Sequence, residues 1–507
     1  MVRAGLLLLF VTLALRAETF FHPLILPTDE GLYFRIAYQW LVEHTPLYEG
    51  AFDHKPPGIY YIYGLLMTLG GPSMLSIRVG TVVFAWAGAL LCYGFARRLA
   101  VARPHAAGIG AGLAYAILSC RLTGLNANLE IFFSPMIVGL LWATYESSIR
   151  KDLRLLALSG FLAGLVFVIK YTCGAEAVAL PVLWWAWQSS GTLKGMFSRR
   201  VLVGVLLFGL AFLAPVALTC IHLTVDGPGV AALLERTILR NLTHKEGARS
   251  LYKPLAYMYF GGRVVAEYAL GWLALIGFVS KWDHWGRAKT FLLLGWLATA
   301  LVSATFTGHL FDHYLIECLA PLCIMAGLWV DKLGRSFPTS PSWATMALLA
   351  LVFIPLGADE ARRQWPNIAA DVASARRGGH IWAGDSNYRL ASYLKQQLKP
   401  GQYFFAVEGT PTLYLLAGHD LPSDYTYWPF LSSPHFAKVV GLDQAAEINR
   451  ILTLPPRFIV AKERDIAGLG SPGTFVPANA ARIQQAVDAH YALQDTVAGW
   501  WVWQRKD

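Results

Sequence analysis

The chain has 507 residues and a formal net charge of +10, and 55% of its residues are hydrophobic while only 15% are charged. A soluble domain carries roughly 25% charged residues, so this composition excludes an ordinary soluble protein and indicates an integral membrane protein. The basic balance does not point to nucleic acid as a partner, because Lys and Arg are dispersed between apolar runs, where they are typical of topology signals.

Near-continuous apolar runs, each long enough to cross about 30 Å of hydrocarbon, recur along residues 1–357. They predict about eleven membrane helices, at residues 4–18, 77–96, 104–121, 127–146, 153–170, 172–189, 200–223, 261–280, 289–306, 312–331 and 341–357. The first is interpreted as a retained helix, because residues 16–18 make a poor signal-peptide cleavage site. Every second short loop is basic, which predicts that those loops are cytoplasmic. With an odd number of spans, the first long loop and the C-terminal domain lie on the outer face.

The first outer loop, residues 19–76, contains two further helices that are too short to span a bilayer. Residues 29–41 have apolar side chains at helical spacing, with Thr28 as the candidate N-cap. Residues 56–67 begin with two prolines and reach only about 18 Å at 1.5 Å per residue. We expect both helices to lie in the membrane interface, with the tyrosines of the second at headgroup level.

The last part of the chain, residues 358–507, is mixed and charged like a globular domain. Its patterns predict strands and helices in alternation, which indicates a small extracytoplasmic α/β domain. The predicted strands are residues 403–407, 457–461 and 500–503, and the predicted helices are residues 387–398, 443–452 and 480–489.

The six cysteines all fall in or beside predicted membrane helices. No spacing among them resembles a zinc site, and none lies in the C-terminal domain, which we expect to fold without disulfides. We interpret them as packing residues: Cys92, Cys120, Cys173, Cys220, Cys318 and Cys323.

Asp29 and Glu30 lie in the first turn of the first interfacial helix. Acids at this position are stabilised as anions by the exposed backbone N–H groups, so an ionised carboxylate is expected at neutral pH. Such a group can deprotonate an acceptor hydroxyl or hold a metal. The alternative is that Asp29 only supports the helix cap.

Lys55 lies at interface depth, ahead of the two prolines that fix its position. An ammonium there suits a lipid phosphate, as a point charge, and the alternative is ordinary snorkelling. Neighbouring Asp53 and His54 add candidate metal ligands, although a plain surface loop is the commoner interpretation. The sequence therefore leaves a divalent metal cofactor open, with His54 as its candidate ligand.

Further ionisable groups lie within the predicted membrane helices, where they are costly and usually functional. Glu130 opens the fourth helix on the same face as Asp29 and is a candidate second carboxylate of that site. Lys170 ends the fifth helix and His313 lies in the tenth, where both are candidate substrate-binding groups. Glu317 lies one turn after His313, so the structural alternative is a hydrogen bond between these two.

As an ordered set, these features resemble the membrane glycosyltransferases of the GT-C fold. The resemblance is to glycosyltransferase family 39, which includes dolichyl-phosphate-mannose protein mannosyltransferases, aminoarabinose transferases acting on lipid A and rhizobial galacturonosyltransferase-like proteins. Each motif alone is a weak signal, whereas the ordered set is specific and covers most of residues 1–331. It consists of Asp29-Glu30, Lys55-Pro56-Pro57, Glu130, Gly160 to Lys170, and His313-Tyr314 through Pro321.

This resemblance implies an inverting enzyme that moves one sugar from a polyprenyl-phosphate carrier to an acceptor on the non-cytoplasmic face. It implies that Asp29 is the base on the acceptor hydroxyl, with Glu30 beside it, and that Glu130 is the second acid. Lys55 would neutralise the departing lipid phosphate. The chain departs from some relatives at His54, where they have an acid, and this difference bears on metal dependence.

Three alternatives stay open at this point. A polytopic transporter would be expected to have repeated halves and broken helices that meet at the membrane midplane. A ligase that transfers a whole lipid-linked glycan would be expected to have outer-loop arginines in place of the acid pair. The third is a binding protein without catalysis.

The compact loops favour a bacterial inner membrane, and the expected partners are a lipid-linked sugar donor, membrane lipid and a protein, lipid or polysaccharide acceptor.

Overall fold

The computed structural model describes residues 2–21, 28–192, 194–239, 262, 265–280, 286–306, 311–336, 342–377, 380–382, 384–471 and 474–506. The helices before residue 240 are α1 (Val2–Leu15), α2 (Glu18–Phe21), α3 (Thr28–Leu41), α4 (Gly58–Gly70), α5 (Met74–Leu99), α6 (Pro104–Leu118), α7 (Leu129–Arg150), α8 (Leu153–Ile169), α9 (Leu180–Ser190), α10 (Arg199–Val225) and α11 (Gly229–Leu234). They are followed by α12 (Ala269–Val279), α13 (Arg287–Thr305), α14 (Leu319–Ser336) and α15 (Ser342–Arg376).

The chain is a polytopic helical membrane protein, as its composition predicts. Within the described ranges, five helices are long and apolar enough to cross a membrane, at Met74–Leu99, Arg199–Val225, Arg287–Thr305, Asp312–Lys332 and Trp343–Arg376. Shorter apolar helices accompany them at Val2–Leu15, Gly58–Gly70, Pro104–Leu118, Leu153–Ile169 and Ala269–Val279. The predicted span at 261–280 lies partly outside the described residues.

The predicted helix at 172–189 is not continuous. Tyr171–Cys173 form a 3-10 turn and Ala175–Ala179 a π-helical turn before α9 begins. Pro181, near the start of α9, has no N–H to donate to the carbonyl four residues earlier, so the regular hydrogen-bond pattern is interrupted. The break directly follows Lys170, the residue that caps α8.

The last membrane helix is longer than the sequence predicts. The sequence analysis ends this helix at residue 357, which is wrong because α15 continues to Arg376. Its polar continuation is used in packing, since Asp359 pairs with Arg121 at 3.1 Å and the Gln364 side chain donates to the Leu15 carbonyl at 2.6 Å. The predicted domain boundary at 358 falls inside this helix.

The two helices predicted in the first outer loop are present as α3 and α4. Tyr60 and Tyr63 of α4 are fully buried within the protein, and the headgroup level of the α4 tyrosines stays a prediction. Their rings contact the ring of Tyr33 on α3 edge-on, with centroids 6.3 and 5.8 Å apart. The pattern of α4 alone contains no information about this partner helix.

The C-terminal part builds a four-stranded sheet with its own hydrophobic core. The strands β1 (Phe404–Ala406), β2 (Phe458–Ala461), β3 (Tyr491–Val497) and β4 (Trp500–Arg505) have the order β1-β2-β4-β3, in which only β1 and β2 are parallel. The helices are α16 (Ser386–Gln397), α17 (Pro411–Ala417), α18 (Trp428–Ser432), α19 (Pro434–Val440), α20 (Gln444–Thr453) and α21 (Pro477–His490). The three predicted strands and three predicted helices are present, whereas β3 and the three short helices α17, α18 and α19 are additional.

This C-terminal part packs directly on the first outer loop. The N–H of Phe52 in that loop donates to the carbonyl of Asp424 at 2.8 Å. Helix α17 lies against α3, where the missing side chain of Gly31 leaves room for Thr412. The start of α3, which carries Asp29, is therefore in contact with both parts of the chain.

Candidate active site

Asp29 lies in the first turn of α3, and Lys55 lies in the loop before α4. The Lys55 Nζ is 3.7 Å from Asp29 Oδ2 and 3.7 Å from Asp53 Oδ2. Both separations exceed a normal hydrogen-bond length, and the side chains of Asp29 and Lys55 keep 21% and 19% of their surface exposed. We call Asp29, Asp53 and Lys55 the outer cluster. The Lys55 ammonium is close to both carboxylates without a hydrogen bond to either.

The loop that carries Lys55 is itself held firmly. Buried Asp53 accepts a hydrogen bond from the Tyr60 hydroxyl at 3.0 Å and from the N–H of His54 at 2.7 Å. The Tyr48 hydroxyl donates to the carbonyl of Lys55 at 2.7 Å. The backbone is thus fixed, while the ammonium at the end of the Lys55 side chain stays partly accessible.

The groups of the outer cluster set the charge states of one another. Burial opposes ionisation of the Asp29 carboxyl, but the Lys55 ammonium, with His313 and His54, lowers the Asp29 pKa below its usual value. Burial also opposes the charged form of Lys55, and the two carboxylates raise the Lys55 pKa above its usual value. Both groups are therefore ionised at neutral pH.

Glu30 is engaged in a different contact from its neighbour Asp29. Its two oxygens accept from the Arg78 guanidinium at 2.5 and 2.8 Å, and one of them also accepts from the N–H of Ala127. Glu30 and Arg78 are both buried. This pair joins α3 to α5 and to the segment before α7, so Glu30 fixes the position of the helix turn that carries Asp29.

Glu130, Lys170 and Glu317 form a second cluster, which we call the buried network. The Lys170 Nζ donates to Glu130 Oε1 at 2.8 Å and to Glu317 Oε1 at 2.5 Å, and all three side chains are buried. The same ammonium lies 3.9 Å from the centre of the Tyr314 ring. Glu317 therefore pairs with Lys170, and the alternative hydrogen bond between His313 and Glu317 is not formed.

His313 connects the two clusters. Its ring interacts electrostatically with Asp29 and Lys55 on one side and with Glu130 and Lys170 on the other. The structure thus brings together five residues that the sequence suggests separately, from the first outer loop, α7, the end of α8 and the segment before α14.

The described part of the chain does not place His54 in a set of metal ligands. Its Nδ1 lies 3.3 Å from Asp53 Oδ1, within the loop that carries Lys55. One group of three ligand-type side chains exists among the described residues, and it consists of Cys173, Glu176 and Glu317. Metal binding by His54 stays a prediction.

Two residues of the site are missing from the sequence analysis. Arg78 is a lone cation near the start of a predicted span, and an ionisable group at that depth is a recognisable signal. Tyr33 lies one helical turn after Asp29 and donates its hydroxyl to Asp29 Oδ2 at 3.4 Å. The spacing of four residues on α3 predicts such contacts, but many tyrosines share it.

Residues 54–218 match the sequence profile of the family described as dolichyl-phosphate-mannose-protein mannosyltransferase. No curated protein sequence matches the chain. Among solved structures, ArnT from Cupriavidus metallidurans bound to undecaprenyl phosphate is similar over 99% of this chain and 96% of that chain, with 15% identity and a TM-score of 0.58. The apo state of the same protein has a TM-score of 0.60 over the same shares of the two chains, again at 15% identity.

An archaeal structure has a comparable similarity. The Archaeoglobus fulgidus oligosaccharyltransferase complex with Zn and sulfate is similar over 99% of this chain and 73% of that chain, with 11% identity and a TM-score of 0.59. At such identities the similarity to these structures shows the fold, and the family profile adds the sequence evidence for one third of the chain. The chain therefore shares the fold of these structures, and residues 54–218 carry the sequence pattern of the mannosyltransferase family.

Proposed function

We propose that the chain moves a single sugar from a polyprenyl-phosphate carrier to an acceptor on the outer face of the membrane, with inversion. The observation that carries this proposal is the outer cluster, in which an ionised carboxylate and an ammonium lie 3.7 Å apart and partly exposed. The fold is shared with a protein solved bound to undecaprenyl phosphate and with one solved in complex with dolichol phosphate, which supports a lipid-phosphate carrier.

In the proposed reaction, Asp29 accepts the proton of the acceptor hydroxyl while the hydroxyl oxygen attacks the anomeric carbon of the donor sugar. The bond from that carbon to the carrier phosphate breaks, and the phosphate leaves with the electron pair. A phosphate leaving group needs no proton, so one base and one cation are sufficient. The Lys55 ammonium stabilises the charge that develops on the phosphate oxygens.

The two lysines have different roles in this proposal. Lys55 makes ion pairs longer than a hydrogen bond, so a phosphate oxygen can approach it without displacing a locked partner. Lys170 is buried and already donates to Glu130 and Glu317, so we assign it to positioning and not to phosphate binding.

The other candidate acids also differ in role. We assign Glu30 to positioning of Asp29 because both of its oxygens are occupied by Arg78. Glu130 keeps one buried oxygen, Oε2, without a hydrogen-bond partner. We therefore propose that Glu130 accepts a hydrogen bond from a hydroxyl of the donor sugar. For His313 we propose a place beside the carrier phosphate.

We further propose the orientation that the charge of the short loops predicts. About eleven helices cross the membrane, residues 1–357 form the catalytic domain, and residues 358–507 form an α/β domain on the outer, periplasmic side of a bacterial inner membrane. The hydrogen bond between Phe52 and Asp424 supports a common side for the first outer loop and the C-terminal domain.

The test is transfer from a panel of radiolabelled polyprenyl-phosphate sugars into membranes that contain the wild type or Asp29→Asn. We expect incorporation from one donor in the wild type and a loss of about 10²- to 10⁴-fold in the variant, the range for removal of a general base. The control is Asp226→Asn, which changes an exposed acid. Equal incorporation by Asp29→Asn would overturn the role of the base, and no incorporation from any donor would overturn the reaction.

A further inference from the structure

Cys173, Glu176 and Glu317 bring three ligand-type atoms together inside the helical part of the chain. Each offers one sulfur or carboxylate oxygen, and these atoms lie within 4.8 Å of one another. All three side chains are at least 98% buried. They come from three separate segments, which are the 3-10 turn after α8, the π-helical turn before α9 and the 3-10 segment Asp312–Cys318 before α14.

Glu176 has an incomplete set of partners for a buried acid. Its Oε1 accepts from the Trp296 indole N–H at 2.7 Å, while its Oε2 is buried and has no hydrogen-bond partner. Among the described residues, no Lys or Arg lies within ion-pair distance of Glu176. Buried carboxylates are normally paired with a cation, protonated or bound to a metal.

The cation that acts on Glu176 among the described residues is Lys170. Lys170 donates to Glu317 Oε1 and to Glu130 Oε1 and makes no ion pair with Glu176. The second oxygen of Glu317 is 3.9 Å from the sulfur of Cys173. The local group therefore contains three carboxylates and one ammonium, and it lacks positive charge on the side of Glu176.

We propose that Cys173, Glu176 and Glu317 bind one divalent cation of the Zn²⁺ class. A thiolate with two carboxylates is a ligand set that suits Zn²⁺, and water can take the fourth position. With Zn–S of about 2.3 Å and Zn–O of about 2.1 Å, a tetrahedral site needs sulfur and oxygen about 3.6 Å apart. The observed 3.9 Å between Cys173 Sγ and Glu317 Oε2 requires only a small contraction.

The sulfur of Cys173 has a second contact. The buried hydroxyl of Ser303 donates to Cys173 Sγ at 3.5 Å. Metal ligands commonly have such hydrogen bonds, which orient them and stabilise their charge. The ion would join the end of α8 to the starts of α9 and α14 and would fix Glu317, and through Glu317 the position of Lys170 and Glu130. The sequence analysis missed this site because Glu317 is far in sequence from Cys173 and Glu176, and a Cys and a Glu three residues apart are not by themselves a zinc motif.

The experiment measures the metal content of the purified full-length protein in lipid nanodiscs after incubation with Zn²⁺ and removal of the free ion. We expect about one Zn²⁺ per chain in the wild type and a loss of most of it in Cys173→Ser and Glu176→Gln. The matched control is Cys92→Ser, which changes another buried cysteine and is expected to keep the metal. This readout is independent of sugar transfer, so its failure leaves the proposed reaction untouched.

Because the variants could fail to fold, the wild type is also loaded with Co²⁺ and examined by absorption spectroscopy. A thiolate-to-cobalt charge-transfer band is expected, which is absent in Cys173→Ser and present in Cys92→Ser. A wild type without bound Zn²⁺ and without this band would overturn the metal site and favour a proton shared between Glu176 and Glu317. Metal retained by folded Glu176→Gln and Cys173→Ser would overturn the assignment of these ligands.

Discussion

The outer cluster and the buried network have the same composition, a lysine between two carboxylates, but they differ in how the charge is used. Lys55 lies 3.7 Å from both of its acids and is partly exposed, whereas Lys170 lies 2.8 and 2.5 Å from its acids and is buried. A phosphate can therefore compete for Lys55, while the positive charge of Lys170 is already saturated.

The largest effect on stability is expected for Lys170→Met, which tests whether the buried lysine holds the fold together. Removal of the cation leaves Glu130 and Glu317 buried without a counter-charge, and breaking a buried pair in this way costs about 3–5 kcal/mol in the free energy of unfolding. Chemical denaturation in nanodiscs would measure it, with the exposed Lys395→Met as the control. The double variant Glu130→Gln/Lys170→Met should regain part of the stability, because one stranded charge is removed. Wild-type stability of Lys170→Met would contradict the assignment of the network to positioning.

For Lys55→Met we expect the opposite of Lys170→Met, a large loss of activity and a smaller loss of stability. In the proposed reaction Lys55 faces the leaving phosphate, so its loss should lower kcat by about 10²- to 10³-fold, the range for a lost electrostatic stabiliser. Stability should change less than in Lys170→Met, because the Lys55 ion pairs are longer than hydrogen bonds and Asp29 and Lys55 are partly exposed. Lys55→Arg keeps the charge and should retain more activity, although its planar fork does not replace an ammonium fully. A destabilised Lys55→Met with unchanged kcat would contradict the role of Lys55 in phosphate binding and assign it to positioning.

The same comparison explains which parts of the molecule can be predicted from its sequence. The apolar runs and the acids or lysines at their ends are local patterns, so Asp29, Lys55 and Glu130 are found without a structure. The pairings are not local, because Glu30 reaches Arg78 across 48 residues and Lys170 reaches Glu317 across 147. The sequence therefore locates the charged groups, but it does not distinguish a locked lysine from an accessible one.

Strand β3 illustrates a second limit of the sequence. Only its first residue, Tyr491, is buried, and the residues from Ala492 to Thr496 are exposed. It lacks the apolar face by which strands are recognised, and it forms because it pairs with β4 at the edge of the sheet. The strands β1 and β2, which are buried along their whole length, are predicted correctly.

A smaller effect is expected where the C-terminal part contacts the outer cluster. A methyl group at Gly31 would collide with the Thr412 side chain and lie 3.0 Å from the Thr412 backbone nitrogen. Gly31→Ala should therefore shift α17 against α3 and displace Asp29, with a loss of kcat of about tenfold or more, since small misplacements of a reacting group are costly. The control is Gly209→Ala, where the added methyl meets no atom within 4 Å.

The second variant for this contact is Gly31→Ala/Thr412→Ala, which removes the side chain on the other side. It should recover part of the lost activity, because the collision with the Thr412 hydroxyl is relieved. The measurement is kcat for each variant together with its thermal stability. Equal activity in Gly31→Ala and wild type would mean that the C-terminal part does not position Asp29.

The smallest expected effect is that of pH, and its absence identifies the base. The Asp29 pKa is held below its ordinary value of 3.8, so the base form is lost only as pH falls through that lowered pKa. The Lys55 pKa is raised above its ordinary value of 10.5, so the cation is lost only as pH rises through the raised pKa. Between about pH 5 and pH 8, kcat should therefore vary by less than about twofold. A histidine base would instead lose half of its activity near pH 6.5, so a profile that falls there would transfer the role of the base from Asp29 to His313 or His54.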